Sequence, residues 1–195
     1  MRSRDKMQQP QRISIVGATG SGKSFFARKA ADRLDLPVHE LDTIRRDCEL
    51  SGKKFRPSVE AVSAGPRWII DGHYREVREL IWDRADVIVW LNYPALLIAY
   101  RLARRFVGKR AQPKTAGASV EQKPTDAAAP AAESASWSRR LARIGRTVRE
   151  RREYRQWLGE AAQRGTMVIE LGNPAAAETW LGALASATGP DAGAG

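Results

Sequence analysis

The chain of 195 residues carries a formal net charge of +11 and a single cysteine, Cys48. Its length suits one domain with a full hydrophobic core. No apolar run reaches roughly 18 residues, which excludes a membrane-spanning helix; a lone cysteine excludes an internal disulfide and points to a reducing, cytoplasmic setting.

Residues 1–11 are polar and charged, lack the apolar stretch of a secretion signal, and are expected to be disordered. Ile13, Ile15 and Val16 form a β-branched first strand, and Phe25 to Leu34 reads as a helix with Phe26, Ala30 and Leu34 on one face. Leu36 to Leu41 reads as a second strand ending at Asp42; residues 43–64 are mixed and polar, with short helices around Pro57. After a Gly65-Pro66 turn, Trp68-Ile69-Ile70 is a fully apolar third strand that ends at Asp71-Gly72, and Val77 to Trp82 is helical. Val87 to Leu91 is a fourth buried strand, and Asn92-Tyr93-Pro94 opens a helix through about Phe106. Residues 111–136 are Ala, Pro, Thr, Ser and Lys without periodicity, a low-complexity insertion that cannot build a core. Trp137 to Leu158 is a long arginine-rich helix and Thr166 to Leu171 a fifth strand. Gly172-Asn173-Pro174 turns into a last helix, and residues 187–195 form a small flexible tail, which leaves a domain over 12–186.

Apolar strands alternating with helices predict a parallel sheet covered on both faces, with ligands at the carboxyl ends of its strands. Gly17, Asp42, Asp71, Asn92 and Gly172 fall at those predicted ends. Between the first strand and its helix, Gly17-Ala18-Thr19-Gly20-Ser21-Gly22-Lys23-Ser24 fits G-x-x-x-x-G-K-[ST], the phosphate-binding loop. Its glycines let backbone N–H groups turn toward phosphate oxygens, Lys23 reaches the β- and γ-phosphates, and Ser24 holds Mg²⁺. Asp71, closing an apolar strand, is placed to bind Mg²⁺ directly or through water; Asp42 and Arg45 could orient or deprotonate an acceptor. Arg101 and Arg105 share a helix face. In the long helix the stripe Trp137, Leu141, Ile144, Val148 continues to Arg151, Arg155 and Leu158, and arginines on a buried stripe need an anion. Backbone amides, a lysine, Mg²⁺ and several arginines are what phosphoryl transfer requires.

On these residues the chain resembles the adenylate-kinase-like branch of P-loop kinases. Beside the loop, Asp42-Thr-Ile-Arg45 resembles that branch's D-x-x-R, and Asp71-Gly-His-Tyr-Arg75 its D-G-F-P-R; these imply acceptor-phosphate contacts by Arg45 and Arg75. The resemblance implies lid arginines at Arg101, Arg105 and Arg151 that meet the transferring phosphates, and a loop beneath the donor adenine at Asn173. Trp68 to Tyr74 most resembles the small bacterial topology-modulation or adenylate-kinase-like group. The implied fold is a three-layer α/β P-loop NTPase of the NMP-kinase-like type, with a five-stranded parallel sheet, helices on both faces and a helical lid. The implied reaction is ATP-dependent transfer to a small molecule, with a nucleoside monophosphate as candidate acceptor. Catalytic roles fall to Lys23, Asp71, Arg101, Arg105 and Arg151, and metal binding to Ser24 and Asp71. Contacts to ATP fall to Gly17, Ala18, Thr19, Gly20, Ser21, Gly22, Lys23, Ser24, Phe25 and Asn173, and contacts to the acceptor to Asp42, Arg45 and Arg75. The chain departs from the group at Asn92, where aspartate is usual, and at residues 111–136, which replace the ordinary lid.

The positive charge asks for an acidic partner, either a nucleic acid or phosphate-rich small molecules in an arginine-lined cleft. A nucleic-acid-binding ATPase rests on that charge alone, without an aromatic stacking motif or a strand ending in Asp-Glu. A GTPase is excluded by the absence of N-K-x-D and D-x-x-G. The alternative is a non-catalytic or nucleic-acid-associated ATP-binding protein, the first kept alive by the departures and the second by the charge. A monomer is expected; a nucleic acid is not the favoured partner, and no membrane is expected.

Overall fold

A computed structural model describes residues 9–101 and 150–186. Arg105, the insertion, the lid and the tail over 187–195 lie outside the described residues. Five strands form one sheet in the order β2-β3-β1-β4-β5, every pairing parallel. They are β1 (Arg12–Gly17), β2 (Val38–Glu40), β3 (Trp68–Asp71), β4 (Val87–Leu91) and β5 (Met167–Leu171). Helices α1 (Lys23–Leu34), α2 (Leu41–Ser51), α3 (Phe55–Ser63) and α4 (Arg75–Trp82) join the first four. Residues 95–101 start a helix (α5), residues 150–163 are helical (α6), and α7 (Pro174–Ser186) follows β5.

Alternation along the strands divides the core into two layers. Ile13, Ile15, Ile69, Val87, Val89 and Leu91 pack against α1 and α7 through Phe26, Ala30, Leu34 and Leu181. Val16, Trp68, Ile70, Ile88 and Trp90 face the other way, against Leu41, Val59, Val77, Trp82, Tyr154 and Leu158. Strands β1, β3 and β4 are buried at nearly every residue because both faces are covered, which is why they read as unbroken apolar runs. The chain leaves β1 toward β2 on one side and later returns to β4 on the other. The turn after β1 therefore sits at the topological switch point, where open α/β sheets bind ligands.

Three expectations are corrected. The predicted second strand is only Val38–Glu40: Leu36 is buried before it, and Leu41 is fully buried as the first residue of α2, so both ends of the apolar run belong to other elements. Asp42 and Arg45 consequently lie in the first turns of a helix rather than at a strand end. Residues 9–11, expected to be disordered, are tied down. The Trp68 N–H donates to the Gln11 carbonyl at 2.8 Å, and the Gln11 and Arg12 N–H groups both donate to Asp86 Oδ2 at 2.9 Å. In α6 the buried positions are Tyr154, Leu158 and Ala161: Leu158 is buried as expected, but Arg151 is only partly buried and Arg155 is exposed.

Candidate active site

The loop from Gly17 to Ser24 links β1 to α1, and its glycines at 17, 20 and 22 all take positive φ. Gly17 is also the point of closest approach to β4. A Cβ there would sit 2.7 Å from the Leu91 carbonyl oxygen and 3.1 Å from Ser21 Oγ. Lys23 folds back into the loop, its Nζ donating to the carbonyls of Gly17 at 2.8 Å and Ala18 at 3.1 Å. Burial lowers the Lys23 pKa, offset in part by Asp71, Asp42 and Glu150.

Ser24, the first residue after Lys23 in α1, donates its hydroxyl to Asp71 Oδ2 at 2.6 Å. Asp71 closes β3, where strand pairing with β1 fixes its backbone against Ile15. It is 5% exposed, and its Oδ1 is buried without a partner. Burial raises the Asp71 pKa, while the Ser24 hydrogen bond and Lys23 pull it down. A buried carboxylate oxygen with nothing to bond asks for a ligand. Two hard oxygens, one hydroxyl and one carboxylate, suit Mg²⁺, which takes few protein ligands and keeps the rest for water and phosphate. Among the described residues no group of three or more His, Cys, Asp or Glu could hold a metal by itself.

Beyond the loop opens a cavity of about 390 Å³, lined among others by Lys23, Ser24, Glu40, Asp42, Asp71 and Arg101. Asp42 is exposed there and accepts a hydrogen bond from the Tyr74 hydroxyl at 2.8 Å. Glu40 was missed by the sequence reading. The signal was present in the Glu40-Leu41-Asp42 pattern, because two carboxylates bracket the end of β2. Arg45 is committed elsewhere: it pairs with Glu76 at 2.8 Å and Glu49 at 3.4 Å, and lies over the Tyr74 and Phe55 rings. Arg75, at the start of α4, is exposed and makes no ion pair among the described residues. His73 stacks on Trp157 at 5.1 Å and is held neutral, its pKa pushed down to about 4 by burial and then by Arg78, Lys23 and Arg75.

Arg101 and Arg151, the two described members of the expected lid set, lie at the same edge of the sheet. Arg101 Nη1 donates to the Ser21 carbonyl at 2.8 Å, and its guanidinium lies 5.1 Å from the Tyr93 ring centre. Arg151 Nε donates to Asn92 Oδ1 at 2.6 Å. A second cavity of about 250 Å³ adjoins the loop between Phe25, Tyr93, Arg101 and Pro174. Asn173 is exposed, and its Oδ1 accepts the Ala176 N–H at 2.8 Å, capping α7 with Pro174 at the first helical position.

No protein-family model matches the chain, and no curated protein matches it. Solved structures do. A shikimate kinase from Bacteroides thetaiotaomicron superposes with a TM-score of 0.51 at 16% identity, over 91% of this chain and 97% of the other. A shikimate kinase from Acinetobacter baumannii, in complex with shikimate, gives 0.50 at 15% identity, over 92% and 96%. At these identities the likeness establishes the fold, an α/β P-loop NTPase with a five-stranded parallel sheet and helices on both faces.

Proposed function

We propose that the protein is an ATP-dependent kinase that transfers the γ-phosphoryl group to a hydroxyl of a small molecule. The observation that carries this reading is the joined pair of Ser24 and Asp71, with an orphaned carboxylate oxygen, directly beside the phosphate loop and facing a cavity. Lys23, now bonded to loop carbonyls, has the reach to exchange them for phosphate oxygens, and Arg101 stands at the same rim. Ser24 and Asp71 would hold Mg²⁺, which neutralises charge on the phosphates. The second cavity, with the flat faces of Tyr93 and Pro174 and the Arg101 guanidinium, offers a seat for the nucleotide base, and Phe25 lines both cavities.

Asp42 is the acceptor-side carboxylate: exposed, oriented by Tyr74, and able to take a hydrogen bond or the proton from an attacking hydroxyl. A nucleoside monophosphate is the weaker choice of acceptor, because Arg45 would first have to leave two carboxylates. Among the described residues Arg75, exposed and without an ion pair, is a cation open to an acceptor anion. The adenylate-kinase-like subtype rests on sequence resemblance alone, at Gly17–Ser24, Asp42 to Arg45, Asp71 to Arg75 and the arginines at 101, 105 and 151.

The test is Lys23→Ala. Transfer from ATP to a panel of hydroxylated acceptors should fall by at least about a hundredfold, the cost of losing one preorganised charge at the transition state. Thermal unfolding should be nearly unchanged. A folded variant with full turnover would overturn the kinase reading.

A further inference from the structure

We propose that Asn92 is a positioning residue that fixes the Arg151 guanidinium at the mouth of the phosphate loop by bridging it to Glu170. The inference rests on the reading of the loop as an ATP site. Asn92 follows β4 directly, one residue beyond Leu91, which is paired in the sheet with Gly17, the first residue of the loop. It is 5% exposed. Its backbone is pinned to β5, with its N–H donating to the Leu171 carbonyl at 3.0 Å. Its amide nitrogen donates to Glu170 Oε1 at 2.5 Å, and its amide oxygen accepts from Arg151 Nε at 2.6 Å. One turn along α6, Tyr154 is buried with its ring centre 6.2 Å from that of Trp90, so α6 is seated against the end of β4 beside the loop.

The chemistry explains why an amide stands here. Only an uncharged group that donates with one atom and accepts with another can join a carboxylate to a guanidinium in line. Aspartate would set two carboxylates 2.5 Å apart, and leucine would leave the Arg151 Nε beside a buried, unpaired site. Holding Arg151 through Nε fixes the plane of its fork and leaves both Nη groups for phosphate oxygens. Glu170, exposed on β5, anchors the far end of the chain of bonds.

The experiment measures the dissociation constants of Mg-ATP and Mg-ADP by calorimetry on the full chain, with the melting temperature of each variant. Arg151→Ala should reduce the preference for ATP over ADP at least fivefold. Asn92→Leu should reduce it as much, and should cost nothing more when combined with Arg151→Ala. Exchanging the two groups, Asn92→Asp with Glu170→Gln, rebuilds both hydrogen bonds, with the second now donated by residue 170, and should restore the preference to within twofold of the native chain. Glu170→Ala, at an exposed site, gives the milder loss expected of a distant anchor and serves if Asn92→Leu does not fold. Additive losses in the Asn92→Leu, Arg151→Ala pair, or an exchanged pair that folds without recovering the preference, overturn the proposal. If the native chain does not bind Mg-ATP at all, the ATP reading itself falls, and this inference with it.

Discussion

Gly17→Ala tests whether the close approach of β1 to β4 sets the loop's shape. Two costs add. The native φ of 150° is one that residues with a Cβ rarely adopt, worth about 1–3 kcal/mol. The new Cβ would lie 2.7 Å from the Leu91 carbonyl oxygen, a backbone atom at the centre of the sheet that cannot swing aside. Relieving that overlap should cost about 1–3 kcal/mol more. Gly52 supplies the reference, because its φ is 71° but a Cβ there would meet nothing within 4 Å. Gly52→Ala should therefore cost only about 1–2 kcal/mol of conformational strain. At about 2–4 °C per kcal/mol for a chain of this size, Gly17→Ala should melt roughly 4–24 °C below native and Gly52→Ala roughly 2–8 °C below, with Gly17→Ala the lower of the two. Differential scanning calorimetry without nucleotide reads both. If the two variants melt within about 3 °C of each other, the overlap with Leu91 is absorbed by the loop and the steric argument is wrong.

Asp71→Asn should stabilise the chain while disabling it. Burial raises the Asp71 pKa in the fold, so its contribution to stability is present at acid pH and lost as pH rises through the folded value. Melted in chelator, the variant should exceed native at pH 8 and converge with it in acid, while turnover drops about 10²–10³-fold. His73 has the opposite sign. Its pKa of about 4 lies below the ordinary 6.5, so native stability should fall as pH drops between those values, by at most about 3 kcal/mol. His73→Phe, which keeps a ring against Trp157, should show that much less pH dependence in urea titrations; equal slopes would mean that His73 titrates normally.

Much of this fold was legible because three strands lie in the middle of the sheet. Arg12–Gly17, Trp68–Asp71 and Val87–Leu91 are covered on both sides, so their apolar runs have no competing explanation. β2 is an edge strand of three half-buried residues, and its flanking leucines are buried by α1 and α2, which blurs the boundary that placed Asp42. The face of α6 was misread because the stripe was carried forward from Trp137. Residues before 150 lie outside the described part of α6, so the stripe had no described anchor within it. Tyr154 holds the true face. Arg45 shows a different limit. Its Glu49 partner is visible as an i, i+4 pair, but Glu76 reaches it only across the fold. Asn92 read as a lost carboxylate because Glu170, which makes a carboxylate unwelcome, lies 78 residues away.

The location of the charge bears on whether it serves a nucleic acid or a cleft. The described residues contain 19 Lys and Arg against 17 Asp and Glu, close to balance. Many of those arginines are spent inside the fold: Arg12 on Asp86, Arg67 on the Asp35 carbonyl, Arg84 on the Glu60 carbonyl and Ser63. Residues 102–149 hold 11 Lys and Arg against 3 acidic residues, most of the surplus. Lys23 and Arg101 line the cavity beside the phosphate loop. The field of exposed charges decays within about 8–10 Å at ordinary salt. The charge of these two side chains therefore acts first on whatever the loop holds. A triphosphate there meets it directly, whereas a nucleic acid lying along the body would meet a surface near neutrality. Among the described residues, the placement of Lys23 and Arg101 thus argues for an anion in the cleft, since the charge elsewhere on the described body is close to balance.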